Sequence, residues 1–236
     1  MIGGVGMLVS LEGLPGSGKS TQARLLEERL RGEGFVVIYI PDLATLDIED
    51  VGTALVEIFS SPDDPFLRHG DVVTECLLAA AVRADIVATR IDPVLDHHDV
   101  VIEDRGVHTM FSYGLASLIR QHAVEVDDAV CWLDGLGRLA GRRADVALWL
   151  SAPVGETIAR AEARDGKRWT GEQRAYLTFV DLAYQELAAR DAGMVRVSTA
   201  GQTPETVHEA VWEAVAAQLK RPARRTSVGA EPVRGG

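Results

Sequence analysis

Basic residues are in short supply in this chain: 24 Lys and Arg stand against 35 Asp and Glu, for a formal net charge of −11. That balance excludes a broad surface for phosphate backbones, so no nucleic-acid partner is expected. Long apolar runs are missing too. No stretch approaches the roughly 18 residues of a membrane span, and no secretory leader is visible, so no membrane is expected as a partner. Cysteine is scarce, with Cys76 and Cys131 alone. Both lie in apolar segments without C-x-x-C or metal-ligand spacing, and they read as reduced core thiols of a cytoplasmic protein. There is no internal repeat. The N-K-x-D motif that reads guanine is absent, which leaves a switch GTPase without support.

What is present suffices for a core. Hydrophobic residues make up 47% of 236 positions, which suits one α/β domain of moderate size. The first six residues are glycine-rich and read as a flexible extension, with Met7 a candidate natural start. From Lys220 to Gly236 the chain holds five basic residues and one acid, without apolar periodicity. That segment reads as a disordered basic tail, which leaves 7–219 as the folded domain.

The most informative stretch is Gly13-Leu14-Pro15-Gly16-Ser17-Gly18-Lys19-Ser20. It fits G-x-x-x-x-G-K-[ST], the loop that cradles nucleotide phosphates. An apolar run, Met7 to Leu11, precedes it. An amphipathic pattern with Ala23, Leu26 and Leu30 in register follows it from Thr21. Strand, glycine-rich loop and helix are the context this motif needs. Glycines at 13, 16 and 18 let backbone N–H groups converge on phosphate oxygens. Ser17, Thr21 and the helix start add donors and a positive dipole end. Lys19 supplies a point charge for the outer phosphates of ATP, and the Ser20 hydroxyl can ligate Mg²⁺.

Further strands are expected at 35–40, 100–102, 146–150 and 194–197. Helices are expected at 50–59, 71–91, 109–122, 126–139, 154–164, 173–190 and 204–219, with a turn cluster at 60–65. Alternating strands and helices imply a P-loop NTPase: a five-stranded parallel sheet flanked by helices. Ligands of such sheets sit beyond the strand carboxyl ends. That places Gly13 to Ser20, Asp42, Asp104-Arg105 and Ser198-Thr199 on one rim.

Three blocks carry a family resemblance. Leu11-Glu12-Gly13 followed by Gly16-Ser17-Gly18-Lys19-Ser20-Thr21-Gln22 resembles the opening of thymidylate kinases, E-G-x-x-G-x-G-K-[ST]-T-Q. Leu77 to Arg83, L-L-A-A-A-V-R, resembles their L-L-F-A-A-x-R helix. Val101-Ile102-Glu103-Asp104-Arg105, with Thr109 and Tyr113, resembles their strand-D-R-x-x-x-S-x-x-x-Y-Q segment. The resemblance covers about residues 7–215. It implies an ATP-dependent kinase in which Arg105 grips the acceptor phosphate and Asp104 orients the Mg²⁺ shell. It places Asp42, Arg83, Thr109 and Tyr113 around the acceptor, and it implies a small basic lid over about 160–172. The P-loop holds no basic residue of its own between Gly13 and Lys19, so Arg164, Lys167 and Arg168 are expected to bring transition-state charge. Family members commonly form homodimers, and the apolar segment 77–87 could serve that contact or the core.

The acceptor-reading positions depart from the family. Its stacking Phe is Ala79, its base-reading Gln is Gly114, and its T-R-E-P segment is Ile40-Pro41-Asp42-Leu43. Three readings stay open on these residues. One is a kinase acting on dTMP or on a modified or non-thymine pyrimidine nucleotide. The second is a kinase of a non-nucleotide small molecule. The third is a nucleotide-binding regulatory protein with little turnover.

Overall fold

The computed structural model describes residues 6–45, 49–59, 64, 66, 70–122 and 124–219. Five strands form one parallel sheet: β1 Met7–Glu12, β2 Val37–Ile40, β3 Val100–Asp104, β4 Val146–Ser151 and β5 Met194–Ser198, in the order β2-β3-β1-β4-β5. β1, β3 and β4 lie inside the sheet and are almost wholly buried, as continuous apolar strands covered on both faces must be. The edge strands β2 and β5 alternate with partly exposed positions.

Nine helices among the described residues cover the sheet. They are α1 Lys19–Gly32, α2 Val51–Phe59, α3 Val72–Ile86, α4 Asp92–Leu95, α5 Val107–His122, α6 Val126–Leu139, α7 Val154–Asp165, α8 Gly171–Arg190 and α9 Pro204–Ala216. On one face, Leu26 and Leu30 of α1 pack with Val207, Val211 and Val215 of α9 against Val9, Leu11 and Leu148. On the other, α5, α6 and α8 join through Phe111, Leu115, Leu133, Tyr176 and Leu177. Local chemistry sets the helix starts. Asp71 caps α3 by accepting from Val73 N, and Thr170 and Gln173 form a reciprocal capping box on α8.

Four expectations need correction. The helix expected to end near Asp92-Pro93 instead passes through a π turn, Val87–Ile91, and continues as α4. Pro93 stands in the first turn of α4, where its missing N–H has no helical partner to lose. Gly6 is not part of a flexible extension: it is buried, and its N–H donates to Leu95 O at 2.9 Å. A Cβ there would lie 2.2 Å from His98 O, so the backbone itself fills the space. Cys76 is a buried thiol as expected, but Cys131 is exposed on α6, whose inward face is Ala129, Leu133 and Gly137. The last helix ends at Ala216 rather than Leu219. The expected tail at 220–236, residues 1–5, and all of the 60–65 turn except Asp64 lie outside the described residues.

Because all five strands run parallel, their carboxyl ends share one edge of the sheet. The loops after β1, β2, β3 and β5 therefore meet there.

Candidate active site

The loop between β1 and α1 is fixed by close backbone approaches. Gly16 has φ +80, and a Cβ on it would stand 2.1 Å from Thr157 O of α7. Only glycine lets the loop lie against that helix. Gly18, at φ +99, is the N-cap of α1, so the first N–H groups of the helix open toward the loop. Lys19 is buried, and its Nζ donates to Gly13 O at 3.1 Å and Leu14 O at 3.2 Å. Burial, helped by the nearby Arg105 charge, draws its pKa down to about 7. An open cavity of about 570 Å³ lies over this loop. Gly16, Ser17, Gly18, Lys19, Ser20 and Thr21 line it, together with Arg24, Arg160, Arg164, Thr199 and Gln202.

A second cavity, of about 250 Å³, opens between α3 and α5. Asp42, Ala79, Arg83, Asp104, Arg105, Thr109, Tyr113 and Gly114 are in its wall. A hydrogen bond joins the walls of the two cavities: the Ser20 hydroxyl donates to Asp104 Oδ2 at 2.8 Å. Tyr39 OH donates to the same oxygen at 3.3 Å, while Asp104 Oδ1 is buried without a protein partner. An orphaned carboxylate oxygen beside a serine hydroxyl at the phosphate loop suits Mg²⁺, which keeps most of its water and takes one or two protein oxygens.

Arg105 stands at the head of the second cavity in the left-handed region, φ +72, the one non-glycine residue there among the described residues. Its Nε donates to Asp42 Oδ2 at 2.5 Å. Burial opposes the charge most strongly, but Asp42, together with Tyr113 and Asp104 behind it, holds the guanidinium above its ordinary range. Tyr113 is held beside Arg105, with its phenol pushed up by burial. Its ring joins an aromatic cluster with Phe66 and Tyr176. Thr109 is already engaged: its hydroxyl meets Glu12 Oε2 at 2.6 Å and Tyr184 OH at 2.9 Å.

Arg83 is not a surface arginine. It is 4% exposed and pairs through both terminal nitrogens with Glu103, itself 2% exposed. One of these nitrogens also donates to Arg142 O at 2.8 Å. Its Nε is left without a partner in the cavity wall. Burial raises the pKa of Glu103, against the pull of Arg83.

The residues expected to form a lid divide. Arg164 lines the cavity over the phosphate loop and holds Asp165 bidentately, at 2.6 and 3.0 Å. Arg168 and Lys167 are exposed in the connection 167–170 and line neither cavity. Arg160 opens the segment expected as the lid but had no role expected of it; it lies one helical turn before Arg164 on the same face of α7. It pairs with Glu156 and donates to Thr199 O at 3.2 Å in the nucleotide cavity wall. That i, i+4 spacing was the available signal. Gly114 carries a second surprise. A Cβ there would stand 3.0 Å from Cys76 Sγ and from Leu133 Cδ2, so α5 packs closely on α3 and α6 and a side chain at 114 would make those two side chains give way.

The family model for thymidylate kinase matches residues 11–211. A thymidylate kinase of Gluconobacter oxydans (strain 621H) is 33% identical over 215 residues, which are 90% of this chain and 95% of that protein. A thymidylate kinase of Synechococcus sp. (strain JA-2-3B'a(2-13)) is 34% identical over 227 residues, with 90% and 96% covered. Among solved structures, thymidylate kinase of Candida albicans superposes with a TM-score of 0.66 at 21% identity, covering 91% of this chain and 92% of that one. That likeness shows a shared fold.

Proposed function

The chain belongs to the thymidylate kinase family, and we propose that its two cavities hold ATP and a pyrimidine deoxynucleoside monophosphate, dTMP first among them. Family membership makes it an ATP-dependent phosphotransferase acting on a nucleoside monophosphate. The observation that carries the division of roles is the Ser20–Asp104 hydrogen bond. It joins the phosphate loop to the Asp104-Arg105 turn, where the two phosphate chains must meet.

Phosphoryl transfer asks the protein mainly for position and charge. The backbone of Gly13 to Ser20 and Lys19 hold the donor phosphates. Ser20 and Asp104 would hold Mg²⁺, which draws charge from the transferring group. Arg105, oriented by Asp42 in the cavity wall, grips the acceptor phosphate through its guanidinium. Arg164 and Arg160 stand over the nucleotide cavity and neutralise charge as α7 and its loop close. Arg168 must swing inward to take part. Arg83, held by Glu103, lines the acceptor cavity with Thr109 and Tyr113 and places its positive charge beside the acceptor.

Ala79 leaves room where the family carries a ring, so a pyrimidine with a larger 5-substituent enters the same cavity. The test is ADP release with ATP and Mg²⁺ against a panel of pyrimidine and purine monophosphates, with nucleosides and no acceptor as controls. Stimulation by dTMP or a 5-substituted analogue supports the reading. No stimulation by any monophosphate overturns it.

We further assign a homodimer and a cytoplasmic location. Val73 and Leu77 of α3 are 36% and 50% exposed, an apolar surface suited to a second copy. No described helix is long and apolar enough to cross a membrane. Sedimentation at the monomer mass would overturn the dimer.

A further inference from the structure

The left-handed backbone of Arg105 is costly for a residue with a side chain and persists only where the surroundings impose it. Three contacts impose it. Arg105 N donates to Leu11 O at 3.0 Å, and the Arg105 side chain is drawn to Asp42. The third comes from Glu12, the residue just before the phosphate loop. Glu12 is fully buried. Its Oε1 accepts from Gly106 N at 3.1 Å, and its Oε2 accepts from the Thr109 hydroxyl at 2.6 Å. One carboxylate thus ties both ends of the segment that follows Arg105.

Gly106 is small for the same reason. A Cβ on it would stand 2.7 Å from Glu12 Oε1 and 2.7 Å from Glu103 Oε1. Two buried carboxylates close on this one α-carbon, and they are kept there by different partners. Arg83 holds Glu103. His108 Nδ1 lies 3.8 Å from Glu12, while its Nε2 meets Asp191 at 2.9 Å. The mechanism above uses Glu12 for nothing.

We infer that Glu12 is a positioning residue for phosphoryl transfer: by bridging Gly106 N–H and Thr109 it holds the turn that aims Arg105 at the acceptor phosphate. The inference rests on the acceptor-phosphate role of Arg105 proposed above. It is a matter of reach rather than charge. An oxygen must extend from β1 to the Gly106 N–H, and the side chain must span to Thr109 as well.

Reach and charge separate in two conservative variants. Glu12→Asp keeps the charge that His108 faces but withdraws the carboxylate by one methylene from Gly106. Glu12→Gln keeps the length: its amide oxygen accepts from Gly106 N–H, and the Thr109 hydroxyl turns to accept from the amide nitrogen. The expected result is a loss in acceptor kcat/KM on the order of 100-fold for Glu12→Asp, from a misplaced Arg105, with Glu12→Gln retaining most activity. ATP affinity should stay near wild type in both, which also shows that the fold is intact. Gly106→Ala pushes the same turn from its other side and should give the same acceptor-specific loss.

Equal losses in the two Glu12 variants, or Glu12→Gln as the worse of them, overturn the inference. The Asp variant is then placed in an Arg105→Ala background. There its loss should vanish, because the residue it positions is gone. A loss of undiminished size in that background overturns the positioning role alone. An Arg105→Ala enzyme with normal acceptor use overturns the reading of Arg105, and the inference with it.

Discussion

Asp42 and Arg105, 63 residues apart in sequence, meet in the wall of the cavity between α3 and α5 with Nε 2.5 Å from Oδ2. The pairing takes up Nε, and Tyr113 is held beside the same guanidinium, which fixes its plane toward the cavity wall. Asp42→Asn should therefore leave the charge on Arg105 but loosen its aim. A rise in acceptor KM of about 10-fold is expected, with a smaller change in kcat and none in ATP affinity. Steady-state kinetics with each substrate varied in turn checks this. A loss confined to ATP affinity would remove Asp42 from the acceptor side.

Lys19 offers a prediction about protons. In the free site, burial leads the causes that bring its pKa down to about 7. Phosphates arriving beside it favour the charged form and raise that pKa. At pH 8 the free lysine is mostly neutral, so ATP binding should take up close to one proton. Near pH 6 it is already charged and little uptake is expected. Calorimetric titration in buffers of different ionisation enthalpy measures the uptake directly. Uptake that does not grow between pH 6 and 8, or that persists in Lys19→Met, contradicts the assignment.

Glu12 ties stability to acid. Burial alone would raise its pKa, but His108 and the hydroxyls of Thr109 and Ser10 bring it down to about 2 from 4.5. A depressed carboxylate stabilises the fold above its unfolded pKa and loses that contribution as pH falls through the folded one. The full contribution is about 3 kcal/mol, of which roughly 2 is gone by pH 3. Urea unfolding between pH 6 and 3 should show this slope. His108→Gln removes the leading cation, so the variant should be less stable at pH 6 and flatter toward acid. An unchanged slope in the variant would show that His108 does not hold Glu12 charged.

The parts of the site that were legible in sequence are those whose physics is local. β1, the glycine spacing and α1 lie within one continuous stretch, so hydrophobic pattern and φ requirements sufficed to place Lys19 and Ser20. The rim positions of Asp42 and Asp104 followed from strand ends alone. Side-chain partnerships were not legible. Arg83 and Glu103 are 20 residues apart on a helix and a strand, and nothing in either segment shows that they pair. Glu12 likewise reads as a strand-end acid until β1 and β3 are set in parallel register, Leu11 beside Asp104. The exposure of Cys131 escaped notice because apolar neighbours along a helix need not share a face.

Trp169 links the connection 167–170, proposed as part of a lid, to the cavity proposed for the acceptor, and it makes that link observable. It belongs to the short connection 167–170, yet its ring is 8% exposed and meets Phe66 edge-on, centroids 5.1 Å apart. Phe66 in turn lines the acceptor cavity. On the other side, Trp169 N donates to Glu162 Oε1 of α7 at 2.7 Å, and Glu162 is held by Arg174 of α8. A monophosphate that fills the cavity must press on Phe66, and the displacement passes through one ring contact to the segment carrying Lys167 and Arg168. Addition of dTMP should therefore shift the tryptophan emission of the wild-type protein before any ATP is present. Trp169→Phe should lose that shift while remaining folded, which assigns the signal against Trp132, Trp149 and Trp212. Trp169→Ala, which opens a cavity beneath the lid, should cost about 3 kcal/mol of stability and slow transfer more than it weakens ATP binding. If the emission shift survives in Trp169→Phe, the signal arises elsewhere and the lid is not coupled to the acceptor through this contact.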